Sequence, residues 1–234
     1  SSAASDVYKR QLYDWELGYQ YTAPRLSLGV NLYYMKYKDQ LVPTGMVNDD
    51  SNALNTNVPD SYRRGVELSA SWRATGWFTV GANATFSQNR IENYVDALKD
   101  SPTYGKELGD MTIAYSPDVI ANAFLNFHHR GFEAVFHTQH VGKQYFTNNE
   151  NDALSLDAYC VTNLNLAYTF RTRSARSVRL GLLINNLFNA EYESNGYGYS
   201  YMDTWSGPAP VRIDEAYYFP QAPLNVLANV TVKF

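Results

Sequence analysis

The chain has 234 residues, of which 45% are hydrophobic and 18% are charged, and its formal net charge is −4. This composition allows a large core and argues against intrinsic disorder. The longest uninterrupted apolar runs have only four residues, as in LYYM at 32–35, so a transmembrane helix is excluded. The single cysteine, Cys160, allows no internal disulfide and fits no zinc-ligand spacing.

The first eleven residues, SSAASDVYKRQ, differ in character from the rest of the chain. They contain no apolar segment, and they end where a regular alternation of apolar and polar residues begins. We therefore expect residues 1–11 to be a non-native leader, and residues 12–234 to be one portion of a longer protein.

Nine segments alternate apolar and polar residues with a period of two, which is the pattern of β-strands with one apolar face. They cover residues 12–21, 25–38, 61–73, 77–90, 118–129, 131–141, 156–170, 177–188 and 224–234. The last segment ends on Phe234, and its eleven residues are about the length that a tilted strand needs to cross a bilayer. One such segment could equally be an edge strand of a soluble sandwich.

The connections between these strands alternate between short turns and long loops, and aromatic residues cluster beside the short turns. These aromatics are Tyr19, Tyr21, Trp72, Trp77, Phe127, Phe132, Tyr168, Phe170 and Phe234. A soluble sandwich explains the alternation but not the asymmetry between the two rims. We therefore predict an all-β fold: an antiparallel transmembrane β-barrel meander, with a partial barrel of about nine strands, short periplasmic turns and long extracellular loops.

Three stretches resemble the barrel of TonB-dependent outer-membrane receptors, particularly the Bacteroidetes-type members. They are YRRGVEL at 62–68, NNLFNAEY at 185–192 and YFPQAP at 218–223, and they occur in the order found in that family. The resemblance runs from residue 12 to residue 234. It implies a barrel of about 22 strands closed by an N-terminal plug, of which this chain carries the last nine strands.

The resemblance also implies a function, namely uptake of a scarce nutrient across the outer membrane of a Gram-negative cell. A ferric siderophore is the first expectation for the ligand, with haem, cobalamin or a glycan as other possibilities. The implied partners are outer-membrane lipid, the small-molecule ligand and the TonB energy-coupling complex, which would act through an N-terminal part that is absent here. We expect no enzymatic activity, no cofactor and no nucleic-acid partner.

Two other classes of protein remain open at this point. A passive porin or autotransporter-type barrel would share the strand pattern but have no plug. An outer-membrane hydrolase would need a serine and a histidine close together on the outer wall of the barrel, and the sequence alone does not show such a pair.

The residues in the family-like stretches have structural interpretations. Gly65 is expected to relieve crowding on the interior face, and Glu67 is expected to point into a polar interior. Asn185 and Asn189 are predicted to share one side of the strand, with Asn186 opposite, so that this run ends the strand and begins the loop.

The four histidines do not predict a metal or haem site. His128 and His129 are adjacent, and His137 and His140 are three residues apart, so within each pair the side chains of a strand point to opposite faces. We predict no catalytic, cofactor-binding or metal-ligating residue.

The best candidate for ligand contact is the last long loop, in which aromatic residues alternate with glycine and serine. The candidate residues are Tyr197, Tyr199, Tyr201 and Trp205. Such a surface suits stacking against sugars, aromatic siderophores or a corrin ring, although loop aromatics also pack against neighbouring loops. The absence of lysine and arginine between Tyr192 and Pro210 disfavours an anionic ligand at this position.

Overall fold

A computed structural model of the chain describes residues 10–47 and 53–234. Within these residues it contains fourteen β-strands and one 3-10 turn, Asp152–Leu154. The strands are β1 Gln11–Thr22, β2 Leu26–Val47, β3 Ala53–Arg73, β4 Phe78–Ile91, β5 Met111–Thr112, β6 Val119–His129, β7 Phe132–Val141, β8 Gln144–Tyr145, β9 Ser155–Leu156, β10 Tyr159–Phe170, β11 Ser177–Asn185, β12 Glu193–Asp203, β13 Val211–Pro220 and β14 Asn225–Lys233. None of the helices in the described segments is long and apolar enough to cross a membrane.

Nine of the strands form one continuous antiparallel sheet in the order β1-β2-β3-β4-β6-β7-β10-β11-β14, and β5 pairs with the end of β4. These nine correspond one to one with the nine predicted segments, so the predicted meander is confirmed. In the described residues, β1 and β14 each pair on one side only, which makes this a partial barrel with two open edges. Two further hairpins, β8–β9 and β12–β13, form small sheets of their own.

The register gives the large sheet one apolar face and one polar face. Paired residues point to the same side of an antiparallel sheet, so Leu180 opposite Val230 and Leu17 opposite Leu32 extend a single apolar surface. This surface is open to the surroundings, with Leu17 71% and Val230 65% exposed. An apolar wall of this extent is expected to be covered by lipid.

Aromatic residues border the apolar face at both ends. The predicted group beside the short turns is present, with Trp77 stacked on Phe127 at 6.1 Å between ring centroids. A second group, which the sequence analysis missed, lies at the other end and comprises Tyr13, Trp15, Tyr34 and Tyr62. Trp72 and Tyr62 lie ten residues apart on β3, which for a tilted strand separates the two groups by about 25 Å across the membrane.

On the polar face, two glycines lie beneath aromatic rings of the neighbouring strand. Tyr33 is paired with Gly65, and Phe124 is paired with Gly81. A Cβ atom on Gly65 would lie 2.6 Å from the Tyr33 hydroxyl, and one on Gly81 would lie 2.3 Å from the Phe124 ring. Gly65 therefore relieves crowding on this face, as expected.

Several predicted loops contain more regular structure than the sequence indicated. The connection between the predicted strands 25–38 and 61–73 mostly extends β2 and β3, which remain paired to Pro43 opposite Asn55 and, after a register shift, to Val47 opposite Ala53. The last predicted loop contains the long hairpin β12–β13, and the predicted strand at 156–170 is divided between β9 and β10. Most of the predicted leader, residues 1–9, lies outside the described residues, and β1 already begins at Gln11.

The predicted strand at 177–188 ends earlier, at Asn185, because the next residue turns the chain. Asn186 has a φ of 52° and is 3% exposed. Its side-chain amide donates to the carbonyls of Ala190 and Ala222, at 2.8 and 3.2 Å, and its side-chain oxygen accepts from the Ala190 N–H at 2.8 Å. The role of the asparagine run in ending the strand is thus structural, and Asn186 forms the corner.

Replacing Asn186 should destabilise this corner. Asn186→Ala removes the hydrogen bonds to the backbone of Ala190 and Ala222 and places at positive φ a residue that lacks the short polar side chain with which asparagine supports this conformation, so we expect the free energy of unfolding in detergent micelles to fall by about 2–3 kcal/mol. Asn186→Gly tolerates the backbone conformation and should lose less. Asn185→Ala, which removes one hydrogen bond to Asn225, is the control; equal losses in all three variants would contradict this explanation.

Candidate functional site

The long connections assemble into a cap at one end of the sheet. Its lower layer is an apolar cluster in which the extended ends of β2 and β3 meet the β4–β6 connection. The buried members of this cluster are Val42, Val58, Ile91, Tyr94 and Ile113. Because Val42 and Val58 are only 2% and 5% exposed, the strand extensions are part of a packed cap.

The upper layer of the cap is the hairpin β12–β13, which lies on a second cluster. That cluster comprises Phe146, Leu154 and Leu156, with Ala216 of β13 packed against it. Glycines on β12 allow the close approach, since a Cβ on Gly196 would lie 2.7 Å from the Phe146 ring and one on Gly198 would lie 2.9 Å from Leu154. One face of the hairpin is thereby fixed, and its other face points outward.

Polar contacts join the parts of the cap. The Glu150 carboxylate accepts from the backbone N–H of Thr112 at 3.0 Å and pairs with Arg90. Asn148, which is 1% exposed, donates to the carbonyl of Pro43 and accepts from the N–H of Ala114 at 2.7 Å. These two residues connect β8–β9 to β2, β4 and β5, so they hold the long connections in one arrangement.

The Glu150 contact should make the cap sensitive to acid. Burial alone raises the pKa of Glu150, but hydrogen bonds from Thr112 and the charge of Arg90 outweigh it and hold the pKa below its usual range. A lowered pKa contributes stability that is present above the unfolded-state pKa and is lost as pH falls through the folded value. We expect hydrogen-exchange protection of residues 144–156, corrected for intrinsic rates, to fall as pH drops below about 4.5. In Glu150→Gln this dependence should be largely absent; an unchanged pH profile would refute the role of Glu150.

The outward face of the hairpin brings together three of the four predicted ligand-contact residues. Tyr197, Tyr199 and Tyr201 lie at alternate positions of β12 and so share this face. Across the strand pair their rings continue onto β13, where Tyr197 stacks on Tyr217 with 4.9 Å between ring centroids and makes a tilted contact with Phe219 at 6.1 Å. The result is a row of rings whose members are between 39% and 49% exposed at Tyr197, Tyr201, Tyr217 and Phe219.

The fourth predicted residue, Trp205, lies apart from this row. It occupies the connection between β12 and β13, where its backbone N–H donates to Asp203 at 2.9 Å, and it is 85% exposed. Within the described residues its ring stacks on no other ring. The structure therefore groups the three tyrosines and separates Trp205 from them.

Glu215 is a residue of this face that the sequence analysis missed. Its carboxylate accepts hydrogen bonds from the hydroxyls of Tyr199 at 2.6 Å, Tyr217 at 3.0 Å and Tyr201 at 3.1 Å. Hydrogen bonding to Glu215 raises the pKa of Tyr199 and of Tyr201. In turn, the hydrogen bond from Tyr199 lowers the pKa of Glu215, and the hydrogen bonds from Tyr217 and Tyr201 add to this effect. The phenols of Tyr199 and Tyr201 are therefore neutral and the carboxylate is charged. The alternation of apolar and polar residues at 211–214 was the available sequence signal for this strand.

The histidines lie as the alternation predicted. His137 is paired with Phe124 on the polar face, whereas His140 is paired with Ala121 on the apolar face. Across the described ranges, no group of three or more histidine, cysteine, aspartate or glutamate side chains is placed to hold a metal ion.

Comparison with known proteins identifies the family. The sequence profile described as "TonB dependent receptor-like, beta-barrel" matches residues 13–187, well over half of the chain. The chain belongs to the TonB-dependent receptor family. The resemblance carried by the three sequence stretches is thereby confirmed, while the narrower assignment to Bacteroidetes-type members stays a prediction.

Solved structures of this family share the fold. The ferric yersiniabactin uptake receptor FyuA from Yersinia pestis matches with a TM-score of 0.65 and 19% identity over 96% of this chain and 30% of its own. The ferric-catecholate import receptor Fiu from E. coli K12 matches with a TM-score of 0.64 and 18% identity, over 98% of this chain and 28% of its own. The copper transporter OprC matches with a TM-score of 0.64 and 19% identity, over 96% of this chain and 31% of its own. This chain thus spans about 30% of the length of these receptors.

These relatives are transport receptors and not enzymes, and barrels of this TonB-dependent family reside in the outer membrane. In a barrel of this kind the long connections lie on the outer side of the membrane and the short turns on the inner side. The cap and the outward face of the hairpin then belong to the outer side of the membrane.

Proposed function

We propose that this chain is the C-terminal portion of an outer-membrane receptor that imports a scarce nutrient into a Gram-negative cell, with a ferric siderophore as the first candidate ligand. The observation that carries this proposal is the exposed row of aromatic rings on β12–β13, held above a barrel of the TonB-dependent family. Aromatic surfaces on a rigid support favour ligands that have flat or apolar faces.

The neighbours support the choice of an iron-containing ligand. FyuA is a ferric yersiniabactin uptake receptor and Fiu is a ferric-catecholate import receptor, and another similar structure is the ferric citrate transporter FecA, with a TM-score of 0.62 and 15% identity. Haem, cobalamin and glycans remain other candidates for the ligand. Because this chain spans about 30% of such receptors, the plug and the contact with the TonB complex are proposed to come from residues outside this sequence.

Ligand contact is proposed for the four predicted residues. Tyr197, Tyr199 and Tyr201 would meet the ligand together, and Trp205 would reach it from the connection between the two strands. The packing of the opposite hairpin face on Phe146 supports this arrangement, because it fixes the rings in place before a ligand arrives.

Energy-dependent uptake tests the proposed function. Cells that express the receptor should accumulate iron from a radiolabelled ferric siderophore, and a protonophore should stop this accumulation. Uptake that persists with the protonophore would instead indicate a passive porin. Hydrolysis of a chromogenic lipid ester by the purified protein would indicate an outer-membrane hydrolase.

A further inference from the structure

We propose that the outward face of the hairpin contains a binding site for ferric ion, built from three phenol oxygens and one carboxylate. We call these residues the tyrosine–glutamate cluster: Tyr199, Tyr201, Glu215 and Tyr217. The site would bind the iron of an incompletely chelated ferric ligand directly. This inference rests on the proposed function in iron uptake and adds a specific chemical contact to it.

The first support is the spacing of the oxygen atoms. The Tyr199 and Tyr217 hydroxyls both donate hydrogen bonds to one carboxylate oxygen of Glu215, at 2.6 and 3.0 Å. The Tyr201 hydroxyl donates to the other oxygen at 3.1 Å. An octahedral ion with metal–oxygen bonds of about 2.0 Å places neighbouring ligand oxygens about 2.8 Å apart. The three distances from the phenol oxygens to Glu215 therefore lie near the separation of adjacent ligands around a small ion.

The second support is the chemistry of the donor atoms. All four are oxygens and none is a nitrogen or a sulfur, which favours a hard cation over copper or zinc. Within the described part of the hairpin the only basic side chain is Arg212, and it is engaged on the opposite face by Asp214 at 2.8 Å and by Ser200 at 3.0 Å. No cation therefore competes for Glu215 from within the hairpin.

The third support is the way in which the hairpin holds these residues. Tyr199 and Glu215 are directly opposite each other in the strand register, and Tyr217 is held by stacking on Tyr197. Since the opposite face is packed on Phe146 and Leu154, the four side chains project from a fixed support. The cluster is open to solvent, so a six-coordinate ion bound there keeps positions for a second, exogenous chelator.

Binding is an acid–base exchange without electron transfer. Each phenol that coordinates iron displaces a water ligand from the ferric ion, forms an oxygen–iron bond and releases its proton to solvent, whereas Glu215 is already ionised. The iron stays ferric throughout. Because protons are released, apparent affinity should rise with pH in the neutral range.

The experiment uses the protein purified from outer membranes in detergent and titrated with ferric nitrilotriacetate, a chelate that leaves coordination positions free. We expect a visible phenolate-to-iron charge-transfer band that saturates at one iron per chain, together with tyrosinate modes in the resonance Raman spectrum. Glu215→Gln and the double variant Tyr199→Phe/Tyr217→Phe should each weaken binding by more than about tenfold. Cupric ion should not displace the iron.

Tyr218→Phe is the matched control, because Tyr218 belongs to the same hairpin but lies on its opposite face, with its ring 5.8 Å from that of Phe146, and it is not part of the tyrosine–glutamate cluster. It should leave the band unchanged. A missing band, or a band that persists in the double variant, would overturn the iron site. Uptake of a radiolabelled ferric siderophore is measured separately in the same variants, so failure of the metal contact and failure of the receptor function give different results.

Discussion

Replacing Gly65 with valine is expected to lower the free energy of unfolding by about 3 kcal/mol or more and to reduce the folded fraction in the membrane. A Cβ at this position would lie 2.5 Å from the backbone carbonyl of Phe86 and 2.6 Å from the Tyr33 hydroxyl. The Phe86 carbonyl belongs to the paired strand β4, so it can move away only if hydrogen bonds between the strands are distorted or broken. Gly76→Val is the matched control, since nothing lies within 4 Å of a Cβ there.

At Gly81, the crowding explanation can be tested with a second substitution that removes the obstructing side chain and restores stability. Gly81→Ala should also destabilise the sheet, but here the obstacle is the side chain of Phe124 rather than backbone. Phe124→Ala should therefore recover part of the loss at Gly81, whereas Tyr33→Ala should not recover Gly65→Ala. The stability of the single and double variants at both sites is measured by unfolding in detergent micelles, with heat-dependent gel mobility as the readout. Equal rescue at the two sites would contradict this account.

Removing the hairpin β12–β13 is expected to abolish ligand binding while the barrel still folds. The hairpin pairs only with itself in the described structure, and Tyr192 already accepts a hydrogen bond from the Gln221 N–H at 3.0 Å. A short glycine-rich linker from residue 192 to residue 221 therefore closes the gap without altering β11 or β14. Affinity for the ferric ligand should fall at least about thirty-fold, because the central aromatic contacts are lost.

A smaller deletion is the control for this experiment. Removing residues 204–210 keeps both strands of the hairpin and the row of rings but eliminates Trp205, so a modest loss of affinity is expected. Heat-dependent gel mobility should be the same in both deletions and in the parent protein. If the full deletion binds the ligand as well as the parent does, the hairpin is not the binding surface.

The strands were predictable because their signal is local. Alternation along β4 or β14 follows directly from which side of the sheet each residue occupies, and pairing with any neighbour preserves it. The end of β11 was less predictable, because Asn186 turns the chain through a positive φ and contacts with Ala190 and Ala222. Those partners lie beyond the strand itself.

The cap was not predictable for a different reason. Asn148 and Pro43 are joined by a hydrogen bond across 105 residues of sequence, and no local pattern marks such a pair. The three tyrosines that share the outward face of the hairpin could be singled out because they alternate with small residues on one strand. Glu215 was missed because it joins them only through the register of β12 with β13.

The measurement that tests the central claim most directly is the genomic sequence upstream of the codon for Leu12. If this chain is the end of a TonB-dependent receptor, the reading frame should continue upstream through the remaining barrel strands to a plug region and a signal peptide. A frame that reaches a signal peptide without encoding a plug would contradict the receptor and leave a simpler outer-membrane barrel.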